Sequence, residues 1–580
     1  MVRICPACPP PPPGEGQGRG SHPQSCGILT SIPNPSPQTH QEEGSVHTAP
    51  FNAQASDLNV LILILFPFLA NRLHTAVVQY VELQTMGSVG EVKRCATGIA
   101  GLDNILGSGF ISNQMYLIEG APGSGKTTLG LHFLREGVRL GEKCLYITLS
   151  ETKAELEAGA RSHGWDLKGI EFVELIPDED SLEREAQVTM YHPEEVEIDS
   201  LTKSIMESAE KIKPDRVVFD SLSELKLLAQ TNLRYRRQVL ALKRYFISRG
   251  ATILLLDDKS EESADIQLQS IAHGVLNLYQ SLPPYGASRR RLNMAKFRGS
   301  HYRGGFHDFA IVTGGMEVFP RLVAAEHGKL NEHSLVSSGV SELDSLLGGG
   351  IERGTSTLLM GPAGTGKSTI GMCYSVAATK NGEHASAFLF DESVTLLQKR
   401  CRAVGLDFEV GDGPGQISLR TVDPAEVSPG EFASMVRHAV EVDNASIIFI
   451  DSLNGYLNAM PDEPFLTAQL HELLSYLGRL GVTTLMVVAQ HGMVGALNTT
   501  SPIDTSYLAD TVILHRYYEH RGMVKKAVSV VKKRAGLHEE TIRGLTFNSS
   551  GVHVSEPLTQ LRGVLSGIPV EVPEDLVKQG

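Results

Sequence analysis

The chain has 580 residues, of which 41% are apolar and 20% are charged, and its formal net charge is −14. That length suits about three or four average domains, and the composition is typical of a globular protein. The acidic balance argues against nucleic-acid binding by bulk charge attraction. Seven cysteines, mostly within apolar segments, predict reduced thiols and a cytoplasmic location rather than a disulfide framework.

The first part of the chain differs in composition from the rest. Residues 1–56 are rich in Pro, Gly, Ser, Gln and His, which predicts disorder. The apolar run 58–70 is shorter than the ~20 residues that span a bilayer, and it lies too far in for a signal peptide. Cys5 and Cys8 have no second pair nearby, so we expect no zinc site there. We therefore expect residues 1–85 to be a dispensable extension that is either disordered or not native to the working protein, with no membrane association.

From residue 86 onward the sequence repeats itself. The segment 97–107 matches 338–348, and Lys126 and Lys367 lie 241 residues apart, as do Thr97 and Ser338. Repeats of this length are duplicated domains rather than solenoid units. The predicted organisation is a first domain over 86–324, a second over 325–560 and a tail over 561–580.

Each half contains the pattern G-x-x-x-x-G-K-[ST], at 120–127 and 361–368, between an apolar strand and a helix-like run. In this loop glycines let backbone N–H groups surround phosphates, the lysine reaches the β- and γ-phosphates, and the hydroxyl binds Mg²⁺. The pattern predicts ATP and Mg²⁺ as ligands. The predicted nucleotide-binding residues are Gly120, Gly123, Gly125, Lys126, Thr127 and Thr128, and Gly361, Gly364, Gly366, Lys367, Ser368 and Thr369.

Near-continuous apolar runs alternate with helical patterns, which predicts an α/β fold with mainly parallel sheets buried on both faces. The first half carries about ten additional residues, within the acidic segment 177–200, for which we expect a solvated loop. The predicted strands are 143–150, 216–220, 251–257, 386–391, 447–451 and 483–490.

Acidic residues follow these strands where a catalytic site would need them. Asp220 and Asp451 end apolar strands and are predicted to hold Mg²⁺ together with Thr127 and Ser368. A hydrolase also needs a carboxylate that activates water, and the candidates are Glu151 in the first half and Asp391 and Glu392 in the second. The alternative is that they start the next helix, with Ser150 or Asp391 as its cap and the following glutamate as its first residue, and both roles can coexist.

A basic signature stands near the end of each half: Lys296 and Arg298, then Lys532 and Arg534. In a ring ATPase such a pair can reach the γ-phosphate of the neighbouring subunit and neutralise transition-state charge. The alternatives are nucleic-acid contact, because arginines at 289–291 and 303 extend the first cluster, and a plain solvated face. Repetition at equivalent places favours the catalytic interpretation.

Taken together, residues 90–565 resemble the KaiC family of circadian-clock ATPases and autokinases. The resemblance rests on the 97–103 motif, both phosphate loops, the acids after the strands, the Asp-Ser-Leu and Lys-x-Arg sequences, and 509–522. It implies two tandem RecA-like P-loop NTPase domains with mainly parallel twisted sheets. It also implies an ATP-dependent homo-hexamer of two stacked rings, slow hydrolysis in the first ring and Ser/Thr autophosphorylation in the second.

The chain departs from the family at three places. The family has Glu-Glu where this chain has Ser150 and Glu151, and its second pair corresponds to Asp391 and Glu392. Its Ser-Thr phosphorylation site aligns with Ser506 and a tyrosine, so Ser506 is the candidate phosphosite. We therefore expect a regulatory ATPase with Ser/Thr autokinase activity and unknown protein partners. The alternatives are a DNA-dependent ATPase, which the net charge disfavours, and a nucleotide-held scaffold with negligible turnover.

Overall fold

The computed structural model describes residues 93–175, 193–229, 231–258, 266–328, 334–458, 465–490 and 507–572. Within them each half of the chain is built around one nine-stranded sheet with helices on both faces. Short two-stranded ribbons precede both sheets, β1 (Arg94–Cys95) with β2 (Phe110–Ile111) and β12 (Leu335–Val336) with β13 (Ile351–Glu352). The predicted α/β class is confirmed.

The first sheet has the order β11-β10-β9-β8-β3-β7-β6-β4-β5. The strands from β8 to β5 are parallel, and β9 to β11 extend the sheet in antiparallel fashion. Its strands are β3 (Met115–Gly120), β4 (Cys144–Thr148), β5 (Ile170–Glu174), β6 (Arg216–Asp220), β7 (Thr252–Asp258), β8 (Gly274–Ser281), β9 (Arg289–Phe297), β10 (His307–Val312) and β11 (Gly315–Phe319). The helices are α1 (Ala100–Leu106), α2 (Lys126–Arg139), α3 (Lys153–Ser162), α4 (Pro193–Ile212), α5 (Leu222–Ala229), α6 (Asn232–Ile247) and α7 (Ile266–Ile271).

The second sheet repeats this arrangement in the order β16-β15-β17-β18-β14-β19-β20-β21-β22, with β20 to β22 antiparallel. Its strands are β14 (Ser356–Gly361), β15 (His384–Leu389), β16 (Ile417–Thr421), β17 (Ala445–Asp451), β18 (Thr483–Ala489), β19 (Thr511–His520), β20 (Met523–Lys533), β21 (Arg543–Asn548) and β22 (Gly551–Pro557). The helices are α8 (Ser341–Leu346), α9 (Lys367–Lys380), α10 (Val394–Ala403), α11 (Pro429–Glu441), α12 (Leu453–Asn458) and α13 (Leu466–Arg479). The ribbon of β23 (Leu561–Arg562) and β24 (Val570–Glu571) follows.

Both faces of each sheet are buried, which explains the uninterrupted apolar strands. In β3, Tyr116 and Ile118 belong to the core on the α2 side, whereas Met115 and Leu117 belong to the core under α5 and α6. Successive side chains of a strand point to opposite faces, so a sheet covered on both sides needs apolar residues at every position.

The repeated motif that opens each half has a local structural role. The backbone N–H of Thr97 donates to Asp103 Oδ1 at 2.8 Å, and that of Ser338 donates to Asp344 Oδ1 at 2.8 Å. Each aspartate lies in the first turn of a short helix, where a negative charge is favourable. The motif thus fixes the chain as it enters α1 and α8.

The expected solvated loop over 177–200 is wrong for its last residues. Helix α4 begins at Pro193 and includes 193–200, while 176–192 lie outside the described residues. Proline suits the first turn of a helix. The last residues of the charge run are therefore helical.

The two halves are also hydrogen-bonded to each other. The backbone N–H of Gly430 donates to Asp308 Oδ2 at 2.7 Å, and Arg289 Nη2 donates to the carbonyls of Pro424 and Ala425 at 2.8 and 3.0 Å. Across the described ranges we find no helix that is both long and apolar enough to cross a membrane.

Candidate functional site

The first phosphate-loop sequence connects β3 to α2 at the carboxyl edge of the sheet. Helix α2 begins at Lys126, and Gly125 before it has a φ of 99°, in the left-handed region that favours glycine. The first N–H groups of a helix have no partner within it, so this end of α2 can bind an anion. Thr127 and Thr128 are the next two residues of the helix.

Lys126 folds back over its own loop. Its Nζ donates to the carbonyls of Gly120 and Ala121 at 2.8 and 3.1 Å, and lies 2.7 Å from Asp258 Oδ1. The lysine side chain is 8% exposed and the aspartate 41% exposed. A phosphate at this loop would therefore compete with Asp258 for the ammonium group.

Several loop glycines have no room for a side chain, which fits a loop that presents bare backbone to phosphates. A Cβ added at Gly120 would lie 2.4 Å from Ser124 Oγ, and one at Gly125 would lie 2.9 Å from Ile311 Cδ1. In the second loop a Cβ at Gly364 would lie 2.7 Å from a tyrosine hydroxyl, and one at Gly366 only 2.1 Å from a phenylalanine ring. The residues present fit a nucleoside triphosphate.

Asp220, at the end of β6, accepts hydrogen bonds from two hydroxyl groups. Thr127 Oγ1 donates to Asp220 Oδ2 at 3.0 Å, and the Tyr146 hydroxyl donates to the same atom at 2.5 Å. Burial raises the pKa of Asp220, and the hydrogen bonds from Tyr146 and Thr127 oppose this effect. One carboxylate and one hydroxyl, with water in the remaining positions, are a set of oxygen donors that Mg²⁺ accepts.

Glu151 lies beyond the end of β4, next to the strand that carries Asp220. Thr148 Oγ1 donates to the Glu151 carbonyl at 2.7 Å and accepts from its N–H at 3.1 Å, which fixes the backbone of this turn. Burial raises the pKa of Glu151, and Asp220 and Glu155 raise it further. A carboxylate with a raised pKa beside a phosphate loop is suited to accept a proton.

The helix after this turn begins two residues later than the capping alternative requires. Thr152 is the N-cap of α3 and Ser393 is the N-cap of α10, each accepting a bond from the third residue of its helix. Ser150, Glu151, Asp391 and Glu392 therefore precede the caps. The interpretation of Ser150 and Asp391 as caps, and of Glu151 and Glu392 as first helical residues, is wrong.

The second loop repeats the first with other polar partners. Gly366 has a φ of 100°, α9 begins at Lys367, and Lys367 Nζ donates to the Pro362 carbonyl at 2.7 Å. Burial lowers the pKa of Lys367 to about 8, and the charge of Asp451 opposes this. Burial raises the pKa of Asp451, which Ser368 opposes by a hydrogen bond. Gly361 ends β14, and Thr369 is the third residue of α9.

The two acids after β15 have different partners. Asp391 accepts a short hydrogen bond from Ser452 Oγ, next to Asp451. Glu392 forms a two-point ion pair with Arg400 of α10, with Nη1–Oε1 at 2.8 Å and Nη2–Oε2 at 2.7 Å. Burial raises the pKa of Glu392, and Arg400 opposes this shift.

Sequence reasoning missed Tyr146, Asp258 and Arg400. Strand pairing aligns the halves, since Thr148 lies opposite Asp220 as Leu389 lies opposite Asp451. At the matched positions Tyr146 corresponds to alanine 387, Asp258 to alanine 489 and Arg400 to glycine 159. Aligning the two halves position by position could have found these residues. Each is a polar residue in one half where the other half has alanine or glycine.

The basic residues predicted to act in a neighbour's site lie near the amino-terminal ends of the parallel strands. The phosphate loop of each half lies at the carboxyl-terminal ends. Lys296 pairs with Val275 at the start of β8, whereas Gly120 pairs with Leu278 further along that strand. Lys296 Nζ donates to the carbonyls of Gln269, Ser270 and Ala272 at 2.5, 3.3 and 2.8 Å.

The remaining basic residues have similar partners. Arg298 Nη2 donates to the Ser270 carbonyl at 3.1 Å, and Lys532 Nζ donates to the Ala509 carbonyl at 2.7 Å. Arg534 bonds Asp510 Oδ1 at 3.2 Å and the Tyr507 carbonyl at 3.0 Å. The structure thus does not bring these four together with the phosphate loop of their own chain.

Three of the four arginines that favoured nucleic-acid contact, Arg289, Arg291 and Arg303, are engaged within the chain. Arg289 bonds the second half as described above, and Arg291 Nε lies 3.2 Å from Asp308 Oδ1. Arg303 donates to the Arg321 carbonyl at 2.9 Å and pairs with Glu326. This engagement reduces the positive surface that a phosphate backbone would need.

Some predicted features lie outside the described residues. They are the candidate phosphosite Ser506, the cysteine pair Cys5 and Cys8, the apolar run 58–70, and most of the acidic segment at 177–192.

Parallel sheets with a phosphate-loop sequence, a following helix and a strand-end aspartate define the class of P-loop NTPases, here with two RecA-like domains in tandem. A protein-family model described as "ATPase: KaiC" matches the chain twice, over residues 95–323 and 336–559. The chain belongs to the KaiC family of ATPases, as its sequence resemblance predicts.

Curated relatives match along both halves. Circadian clock protein KaiC3 from Synechocystis sp. is 24% identical over 498 residues, 84% of this chain and 97% of the relative. Circadian clock oscillator protein KaiC from Picosynechococcus sp. is 25% identical over 501 residues, covering 84% and 95%. The KaiC of Synechococcus elongatus is 25% identical over 489 residues, covering 83% and 93%.

Proposed function

We propose that this chain binds Mg-ATP at two sites and hydrolyses it slowly, with Ser/Thr autophosphorylation in the second half. The observation that carries the proposal is the convergence at Asp220, where the hydroxyl after the loop lysine donates at 3.0 Å to the strand-end carboxylate. Ser368 and Asp451 repeat it in the second half. Family membership supports nucleotide binding and ATPase activity.

Each group has a defined task in this proposal. The glycine-rich backbone and Lys126 or Lys367 bind the phosphates, and Thr127 with Asp220 or Ser368 with Asp451 holds Mg²⁺. Bound Mg²⁺ supplies positive charge that neutralises the phosphates. Glu151 in the first site, and Asp391 and Glu392 in the second, accept a proton from water or from a substrate hydroxyl.

The functional unit that we propose is an ATP-dependent homo-hexamer with sites between subunits. Lys296, Arg298, Lys532 and Arg534 lie at the sheet edge away from their own loops, so they are placed to complete a site on an adjacent subunit. The names of the relatives support a regulatory role, and Ser506 is the proposed phosphate acceptor.

The test is incubation with Mg-ATP labelled at the γ-phosphate, followed by phosphate-release assays and mass spectrometry of phosphopeptides. K126A and K367A should each remove one of two bound nucleotides, and the double variant should remove both. K168A, at a lysine whose side chain is 91% exposed, serves as the matched control. Wild-type turnover by the double variant would refute the proposal. Label on Ser506 that survives E392Q or K367A would refute the assignment of kinase chemistry to the second half.

A further inference from the structure

Two of the three candidate base residues occupy matched places in the two halves. Glu151 and Glu392 each stand directly before the N-cap of the following helix, Thr152 in α3 and Ser393 in α10. Glu151 follows β4, whose last residue lies opposite Asp220 at the end of β6. Glu392 follows β15, whose last residue lies opposite Asp451 at the end of β17. Differences between them therefore come from the side chains around them and not from their position.

The surroundings of the two glutamates differ in charge, because only Glu392 has a cation beside it. Arg400 Nη1 donates a hydrogen bond to Glu392 Oε1 at 2.8 Å. Arg400 Nη2 lies 2.7 Å from Oε2 as an ion-pair contact without hydrogen-bond geometry, and the glutamate side chain is only 14% exposed. Of the other groups facing Glu392, Asp451 from β17 is acidic and Cys401 is a buried thiol. Glu151 faces the acids Asp220 and Glu155 instead.

The residue at the matched position explains the contrast. Arg400 in α10 corresponds to Gly159 in α3, 241 residues earlier, where there is no side chain. A Cβ added at Gly159 would meet nothing within 4 Å, so packing does not require a glycine there. The first half simply lacks the cation that the second half places on its glutamate.

We propose that Arg400 is a positioning residue that withholds Glu392 from water activation and so makes the second site the slower hydrolase. The inference rests on the proposed function, in which these glutamates accept the proton of the attacking water. The guanidinium lies in ion-pair contact with both carboxylate oxygens, and its charge-assisted hydrogen bond to Oε1 holds the carboxylate in place. A nearby cation also weakens a carboxylate as a base, because it favours the ionised form.

The experiment measures each site alone, because K126A removes nucleotide binding at the first site and K367A removes it at the second. R400Q in the K126A background should raise ADP formation by the second site roughly threefold to tenfold at pH 8. G159R in the K367A background should lower ADP formation by the first site by a similar factor. R402Q, at an exposed arginine two residues along α10, is the matched control and should leave the rate unchanged.

The pH profile distinguishes control of the base from general damage. Loss of Arg400 raises the pKa of Glu392, so the ascending limb of kcat/KM should move upward by about one pH unit. G159R should move the first-site limb downward, and R400K should restore part of the wild-type rate. Structural damage lowers activity without such opposite shifts.

The outcomes separate the inference from the proposed function. If the K126A parent binds no ATP at its second site, the proposed function fails and the inference falls with it. If that parent hydrolyses ATP while R400Q leaves both rate and pH profile unchanged, only the inference is overturned. Unchanged first-site kinetics in a folded G159R variant would overturn it as well.

Discussion

At the carboxyl edge of the first sheet, acidic side chains stand where the second sheet has apolar ones. Glu119 and Asp257 are paired across β3 and β7, and the matched pair in the second half is Met360 and Val488. Gln269 donates to both oxygens of Glu119, at 3.1 and 2.9 Å. The first phosphate loop is thus in a more negative environment than the second.

Asp257 should make stability fall as pH rises. Burial raises its pKa to about 6, and Glu119 and Asp258 contribute to the rise. A folded-state pKa above the unfolded value makes the ionised form unfavourable, so stability is lost between about pH 4 and pH 6. D257N should therefore raise the free energy of unfolding at pH 8 by about 1 to 3 kcal/mol, and the Tm should rise with it. The same change should have little effect at pH 4. Calorimetry at both pH values checks this, and an equal effect at the two would contradict it.

Asp258 should weaken ATP binding at the first site. It pairs with Lys126 at 2.7 Å, and its charge would repel phosphates that approach the loop. Partly exposed ion pairs contribute about 0–1 kcal/mol, so D258N should tighten ATP binding by up to about fivefold.

Titration with a fluorescent ATP analogue in the K367A background measures the effect of D258N. The reciprocal change A489D, in the K126A background, should weaken binding at the second site. Unchanged affinity in both variants would show that the ion pair with Lys126 does not oppose nucleotide binding.

At the scale of elements, the helices after the phosphate loops pack closely on their sheets. Gly371 of α9 faces the Phe449 ring of β17, and a Cβ there would lie 2.3 Å from the ring. In the first half the corresponding contact is from Gly130 to Val218, at 3.0 Å. Close packing holds each loop against the strand that ends in its aspartate.

G371A should destabilise the second half by about 1 to 3 kcal/mol, because an added methyl group has to displace a buried aromatic ring. G159A is the matched control: it is also a helical glycine, but an added Cβ meets open space. That change should stabilise α3 by about 0.5 to 1 kcal/mol, through helix propensity. Thermal unfolding should thus show shifts of opposite sign, and a stabilising G371A would contradict the packing argument.

At the scale of the whole molecule, the separation of Arg298 from its own phosphate loop predicts sites shared between subunits. K126A and R298A should each reduce first-site hydrolysis when present alone. A mixture of the two, assembled with ATP, should regain activity, because some interfaces combine an intact Lys126 with an intact Arg298. Phosphate release measures the rescue, with the K367A change present in every chain. Absence of rescue in assembled mixtures would contradict shared sites.

Light scattering with and without Mg-ATP measures assembly and should report ATP-dependent hexamers.

Some residue contacts were beyond sequence reasoning because they join distant segments. Tyr146 lies in an apolar strand and reads as a core aromatic, yet its hydroxyl bonds Asp220, which is 74 residues later. Arg400 reads as an exposed helical residue, because Glu392 lies before the helix and outside the usual i to i+4 spacing. The strand core positions were predictable, since apolar runs of this kind are buried on both faces.

The sequence by itself determined the duplicated α/β architecture, the two phosphate loops and the strand-end aspartates, because these depend on local patterns at a constant spacing. Only the tertiary structure decided which partners the charged groups take: Asp258 with Lys126, Arg400 with Glu392, and the arginines at 289 and 291 with groups of their own chain. The physical reason is that parallel strands bring their carboxyl ends together from positions far apart in the chain. The charge environment at the carboxyl ends of the strands therefore depends on side chains that are far apart in the sequence, and no local sequence pattern predicts their pairing.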